Sequence, residues 1–88
     1  MAWAIRFTAR ADKDFSKLGS GDRSRVLRFL DERIRPADDA RSQGKALQGE
    51  YAGMWRYRVG DIRVIARLEH KQLIVLVVEI GNRREIYR

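Results

Sequence analysis

The sequence predicts an α+β protein of order β-α-α-β-β-β, a small antiparallel-dominated sheet with a helical hairpin packed on one face. Three observations carry this. Apolar residues recur at helical spacing from Ala11 to Ile34. Three strand-like runs follow from Met54 to Ile80, separated by short breaks. The 88 residues leave little room for a second core, so a single domain over residues 1–88 is expected.

The first strand is Trp3–Phe7, short and alternating. Thr8 is placed to cap the helix that follows, with Ala11, Phe15 and Leu18 on its apolar side. Gly19 is expected to stop it as a C-terminal cap residue. Ser20 or Asp22 then caps a second helix, whose stripe is Val26, Leu27, Leu30 and Ile34. Pro36 ends it, because the residue before a proline is pushed out of the helical region. The short turn between the helices makes an α-hairpin. Residues 37–53 read as a polar, glycine-punctuated connection, the expected mobile segment, with Leu47 as its anchor.

The remaining strands are Met54–Val59, Ile62–Glu69 and Gln72–Ile80. Gly60-Asp61 and His70-Lys71 are hairpin-length breaks, so these strands are expected to be antiparallel. The last run is apolar at nearly every position, which suits a central strand.

A two-residue Gly60-Asp61 turn fixes the pairing of the first hairpin. Val59 meets Ile62, Arg58 meets Arg63, Tyr57 meets Val64, Arg56 meets Ile65, Trp55 meets Ala66 and Met54 meets Arg67. Side chains alternate between faces. Tyr57, Val59, Ile62, Val64 and Ala66 then face the helices with Trp55 and Leu68. The other face carries Arg56, Arg58, Arg63 and Arg67, with Met54 and Ile65 between them. Arg58 opposite Arg63 is a like-charge pair, destabilising by up to ~1 kcal/mol. A polyanion bound across the sheet would reverse that sign. Glu69, Glu79 or Glu85 on adjacent strands could instead neutralise the patch.

Composition agrees with an anionic partner. Nineteen Lys+Arg against twelve Asp+Glu give a net charge of +7, and fifteen of the nineteen are arginine. Arginine offers a planar fork that fits phosphate bidentately. There is no cysteine and one histidine, His70, so neither a disulfide framework nor a metal site is expected. Asp38 and Asp39 do not suggest a metal pair, and no cofactor is expected. No apolar run reaches the ~18 residues of a membrane span, and the first residues lack the apolar core of a signal peptide. A soluble cytoplasmic protein is expected.

The stretches "WRYRVGDIRVI" (residues 55–65), "EIGNRREIYR" (79–88), "FSKLGSGDRSRVLRFLDERI" (15–34) and "GKALQGEYAGMWR" (44–56) resemble the RelE/ParE superfamily of bacterial and archaeal toxins, on the RelE side. The resemblance covers essentially the whole chain. It implies the toxin of a type II toxin–antitoxin pair, a ribosome-dependent mRNA endonuclease held inactive by an antitoxin. The chemistry it implies is attack of a ribose 2′-oxygen on the adjacent phosphate, without metal. The resemblance places Arg63, Arg83 and Tyr87 in catalytic roles. Arg56, Arg58, Arg67, Lys45 and Arg84 are grouped as RNA- and ribosome-binding. Asn82 stands where many members have histidine, and Arg84 competes with Arg83 for the carried-over role.

These residue types suit the chemistry. Arginines supply charge where the phosphorane accumulates it. Arginine cannot act as a base. Tyr87, with a reference pKa of about 10, is the candidate base or orienter, since nearby arginines would favour its phenolate. Trp3, Trp55 and Tyr57 are assigned to packing, His70 to a turn, and Asp61 to shaping the hairpin turn.

The implied partners are a RelB-like antitoxin with an acidic segment, the ribosome and mRNA, with no membrane. Two other readings use the same scaffold: a ParE-like toxin that inhibits DNA gyrase without nuclease activity, and a non-catalytic RNA-binding module. The second lacks the exposed aromatic pairs expected for base stacking.

Overall fold

The computed structural model describes residues 2–82. In chain order the elements are β1 (Ala4–Phe7), α1 (Ala9–Ser16), α2 (Ser20–Phe29), β2 (Lys45–Ala46), β3 (Trp55–Val59), β4 (Ile62–Glu69) and β5 (Ile74–Asn82). The sheet has five strands in the order β1-β5-β4-β3-β2. β1 runs parallel to β5, and the other neighbours are antiparallel. The expected α+β architecture, with β5 inside the sheet, is what the chain adopts.

Thr8 caps α1 as expected, its hydroxyl accepting the Ala11 N–H at 3.1 Å. Gly19 departs from its expected role. Its φ is −64°, and it is the N-cap of α2 rather than a left-handed stop after α1. Neither Ser20 nor Asp22 occupies the cap position. The α-helical part of α2 ends at Phe29, and a π-helical turn, Leu30–Ile34, continues it. The Arg35 N–H donates to Leu30 O at 2.8 Å, five residues back, which closes this wider turn just before Pro36.

Val26, Leu30 and Ile34 are buried against the sheet with Tyr57, Val64, Ala66, Val75 and Val77. Four-residue spacing keeps Val26, Leu30 and Ile34 on one side. Leu27 falls outside that line and is 51% exposed, contrary to its expected place in the stripe. Trp3 is buried ahead of β1, and its indole N–H donates to Ala37 O at 3.0 Å. Tyr57 is fully buried, while Trp55 is half-buried.

The β3–β4 register agrees with the sequence reading at all five paired positions, Trp55↔Ala66 to Val59↔Ile62. Gly60 has φ 61°, the left-handed backbone this tight turn needs at its first central position. The β4–β5 hairpin differs from expectation. Glu69 pairs with Ile74, so four residues, not two, make the turn. A two-residue turn requires positive φ at its start, which His70 does not supply. The left-handed residue is Leu73, φ 54°, whose carbonyl accepts the Ala4 N–H at 2.8 Å. His70 lies in this turn with its ring edge-on to Trp3.

A bulge interrupts β5. Ile65 pairs with Glu79 but Ala66 pairs with Val77, leaving Val78 as the extra residue. It reverses the alternation beyond Val78. Ile80 joins the helix-facing side opposite Val64, and Glu79 turns to the opposite face beside Ile65.

The 37–53 connection is more structured than a bare loop. Asp39 caps a 3-10 turn, Ala40–Gln43, by accepting the Arg41 N–H at 3.0 Å. Hydrogen bonds from the Arg41 side chain hold the Asp39 carboxyl down to about 2. Tyr57 then donates its hydroxyl to Ala40 O at 2.7 Å. Gly44 passes so close to β3 that a Cβ there would lie 2.8 Å from both Arg56 O and the Tyr57 ring. Only glycine admits this approach, which delivers Lys45 to the sheet edge opposite Arg56.

Among the described residues, no helix is long and apolar enough to cross a membrane, and no group of three His, Cys, Asp or Glu is placed to hold a metal ion.

Candidate nucleic-acid interface

The face of the sheet away from the core is organised in rows by the strand register. One row runs Lys45, Arg56, Ile65, Glu79 across β2, β3, β4 and β5. The next runs Arg58, Arg63, Gly81. Lys45 and Arg58 are exposed, Arg56 is half-buried, and Arg63 is only 5% exposed. The like-charge opposition of Arg58 and Arg63 therefore exists. Arg63 is drawn toward the hairpin turn, where its Nη1 donates to Gly60 O at 3.3 Å. That contact fixes the innermost cation of the set.

Lys45, Arg56 and Arg58 line a cleft of about 300 Å³ together with Ser42, Gln43 and Gly44. The sequence reading had no strand at Lys45 and so no geometric reason for its closeness to Arg56. A larger cleft, about 430 Å³, lies between the α1–α2 turn and the ends of β4 and β5. Among the described residues, its lining mixes Asp14 and Asp22 with Lys17 as the one cation.

Arg67 pairs with Leu76 and is exposed, but it belongs to another row. The Ile65–Glu79 row lies between it and Arg63. The expected four-arginine stripe is thus Arg56, Arg58 and Arg63 with Lys45, and Arg67 stands apart. Arg83, Arg84 and Tyr87 lie outside the described residues.

Sequence reasoning missed Tyr51, and it named Glu79 only as a counter-charge to the arginine face, not as its partner. The Tyr51 hydroxyl donates to both Glu79 carboxylate oxygens, at 3.0 and 3.1 Å. Burial, and then the Glu79 hydrogen bond, raises the Tyr51 pKa above its ordinary value. Arg10 Nη2 approaches the same carboxylate at 3.3 Å. The sequence did hold a signal. In an unbroken strand, Glu79 would share the buried face of Val75 and Val77, and an unpaired buried carboxylate is costly. A bulge between them resolves that conflict.

A small sheet under a helical hairpin, with a cationic outer face, is the architecture expected of a RelE/ParE-type toxin. Comparisons with known proteins agree. The profile of the family described as ParE toxin of the type II toxin–antitoxin system, parDE, matches residues 5–87. The chain belongs to that family, and its relatives place it on the RelE-like branch of the superfamily. Toxin RelG of Mycobacterium tuberculosis is 28% identical over 88 residues, spanning 100% of this chain and 99% of RelG. The RelBE2 toxin–antitoxin complex of the same organism contains a chain 25% identical with a TM-score of 0.85, covering 94% of this chain and 100% of that one. The isolated RelE toxin of E. coli is 25% identical with a TM-score of 0.70, covering 98% of this chain and 92% of its own.

Proposed function

We propose that this toxin is a ribosome-dependent mRNA endonuclease acting by metal-independent attack of a 2′-oxygen on the adjacent phosphodiester. The observation that carries the reading is the convergence of Lys45, Arg56, Arg58 and Arg63 on one face, the first three lining a cleft of about 300 Å³. Arg58 and Arg63 stand directly opposite each other, and a bound polyanion turns that repulsion into attraction. A nucleic-acid backbone presents such anions in series.

In this reading Lys45, Arg56 and Arg58 hold the backbone in line for displacement, which lowers the barrier through orientation. Arg63 stabilises charge on the phosphorane, with Arg83 as its partner. Gly81, opposite Arg63, has no side chain to stand between that guanidinium and a phosphate. Tyr87 takes the 2′-hydroxyl proton or orients it; the P–O5′ bond breaks, leaving a 2′,3′-cyclic phosphate, and the departing 5′-oxygen takes a proton from water, with Arg84 and Arg67 as outer contacts. A RelB-like antitoxin with an acidic segment inhibits by covering the basic face. The segment orders as it binds, which suits a broad shallow surface.

The match to the ParE profile favours a second reading, inhibition of DNA gyrase without cleavage. Parallel assays separate them. Purified toxin is added to a translating extract, with mRNA ends mapped, and to gyrase with relaxed plasmid. Cleavage at ribosomal A-site positions with normal supercoiling is expected. Intact mRNA with blocked supercoiling would establish the second reading instead.

A further inference from the structure

Glu79 has no part in the chemistry above, yet its setting is built. It is 7% exposed, and a carboxylate so buried needs hydrogen bonds to offset lost hydration. Its partners come from two distant segments: Tyr51 from the β2–β3 connection and Arg10 from the first turn of α1. Asp14, one turn after Arg10, accepts the N–H of Ile80, the residue after Glu79, at 3.2 Å. The bulge at Val78 aims the carboxylate at this face rather than at the core. Arg10 is largely exposed, so its ion pair is worth little. The charge-assisted bond from Tyr51 is the stronger tie.

That tie matters because β2 is weakly held. Two residues pair with β3, and one further bond, Leu47 N–H to Met54 O at 3.0 Å, closes the connection's base. So short an edge strand has little ladder of its own to keep Lys45 opposite Arg56.

We propose that Glu79 is a positioning residue: through Tyr51 it clamps the β2–β3 connection onto the sheet and so fixes Lys45 and the cleft beside Arg56 and Arg58. The effect on cleavage rests on the nuclease reading above; the clamp itself does not.

The test uses the full chain with Tyr51→Phe, Glu79→Gln and Glu79→Ala, and two readouts. In hydrogen exchange, Tyr51→Phe is expected to speed exchange of the Leu47 and Met54 amides about tenfold or more, leaving Val64 and Val77 unchanged. On ribosomes, Tyr51→Phe is expected to slow cleavage by roughly 10- to 100-fold, the cost of a small misplacement of positioning groups. Ribosome affinity falls by no more than in Lys45→Ala, because every cation remains. Glu79→Gln still accepts the phenol and keeps most of the rate, with an unaltered pH profile. Glu79→Ala behaves as Tyr51→Phe, and combining the two adds nothing. Should Glu79→Ala fail to fold, the other two variants still decide.

Unchanged exchange at Leu47 and Met54 in Tyr51→Phe overturns the clamp, whatever cleavage shows. A Glu79→Gln protein that folds but loses one limb of the pH–rate profile also overturns it, making Glu79 a proton-transfer group. A wild-type protein that does not cut mRNA refutes the nuclease reading alone, and exchange then decides the clamp by itself.

Discussion

On the helix-facing side of β3 and β4, Tyr57 and Val64 meet as a fully buried pair. One residue further along the same two strands, Arg58 meets Arg63 on the opposite side. The first pair gains from removing apolar surface from water, about 25 cal/mol per Å². The second sets two cations directly opposite each other, an arrangement that like-charge repulsion disfavours. Backbone geometry is shared, so the contrast lies in the side chains alone. One face is packed against the helices, and the other carries the cations proposed to bind RNA.

If that division is right, changes on the two faces should fail differently. The largest effect is expected on the outer face. Arg63→Ala should lower ribosome-dependent cleavage by on the order of 100-fold or more, since one oriented donor is lost at the developing charge. Primer extension on mRNA from a translating extract measures this, and circular dichroism should show the fold intact. A variant that unfolds instead would place Arg63, buried beside Gly60 O, among the structural residues.

A core-face change should do the reverse. Ile34→Ala empties a fully buried site under the sheet and should cost about 2–5 kcal/mol in denaturant unfolding. Cleavage per folded molecule should be unchanged. A matching loss of specific activity would show that the faces are coupled.

A smaller effect follows from Tyr57. Burial first, and the nearby Asp39 charge second, raise its pKa above the ordinary tyrosine value. The folded state thus holds this proton more tightly than the unfolded chain. The associated stability is present below about pH 10, the unfolded tyrosine value, and is lost as pH rises above it. Denaturant midpoints should fall across that range in the wild type, and less steeply in Tyr57→Phe. Equal slopes would mean that other groups control alkaline stability. Tyr51, also raised, adds a contribution of the same sign.

What could be read from the sequence followed how local the determining physics was. The β3–β4 register was legible because Gly60-Asp61 supplies its own turn geometry and Tyr57, Val59, Ile62 and Val64 alternate without interruption. The α1 cap was legible for the same reason, since Thr8 and Ala11 are three residues apart. The turn at residues 70–73 was not, because its left-handed residue is Leu73, which carries no turn signature. β2 escaped notice because two residues have no periodicity, and its position depends on the close passage of Gly44 over β3. Leu27 was misplaced because Leu30 and Ile34 already continue the line from Val26. Of the candidate site, Arg56, Arg58 and Arg63 came from alternation alone. The bond between Tyr51 and Glu79 joins residues far apart in sequence and depends on a bulge, so no local pattern announces it.

The most direct test of the outer face is the salt dependence of ribosome association, measured by co-sedimentation for the wild type, Lys45→Ala and Arg58→Ala. The account predicts a linear fall of log K with log salt, each single-strand phosphate contact contributing a slope of roughly −0.7. Each substitution should flatten the line by about one such contact while leaving thermal stability nearly unchanged. Association that does not respond to salt, or slopes identical in all three proteins, would contradict the claim that these cations form the binding surface.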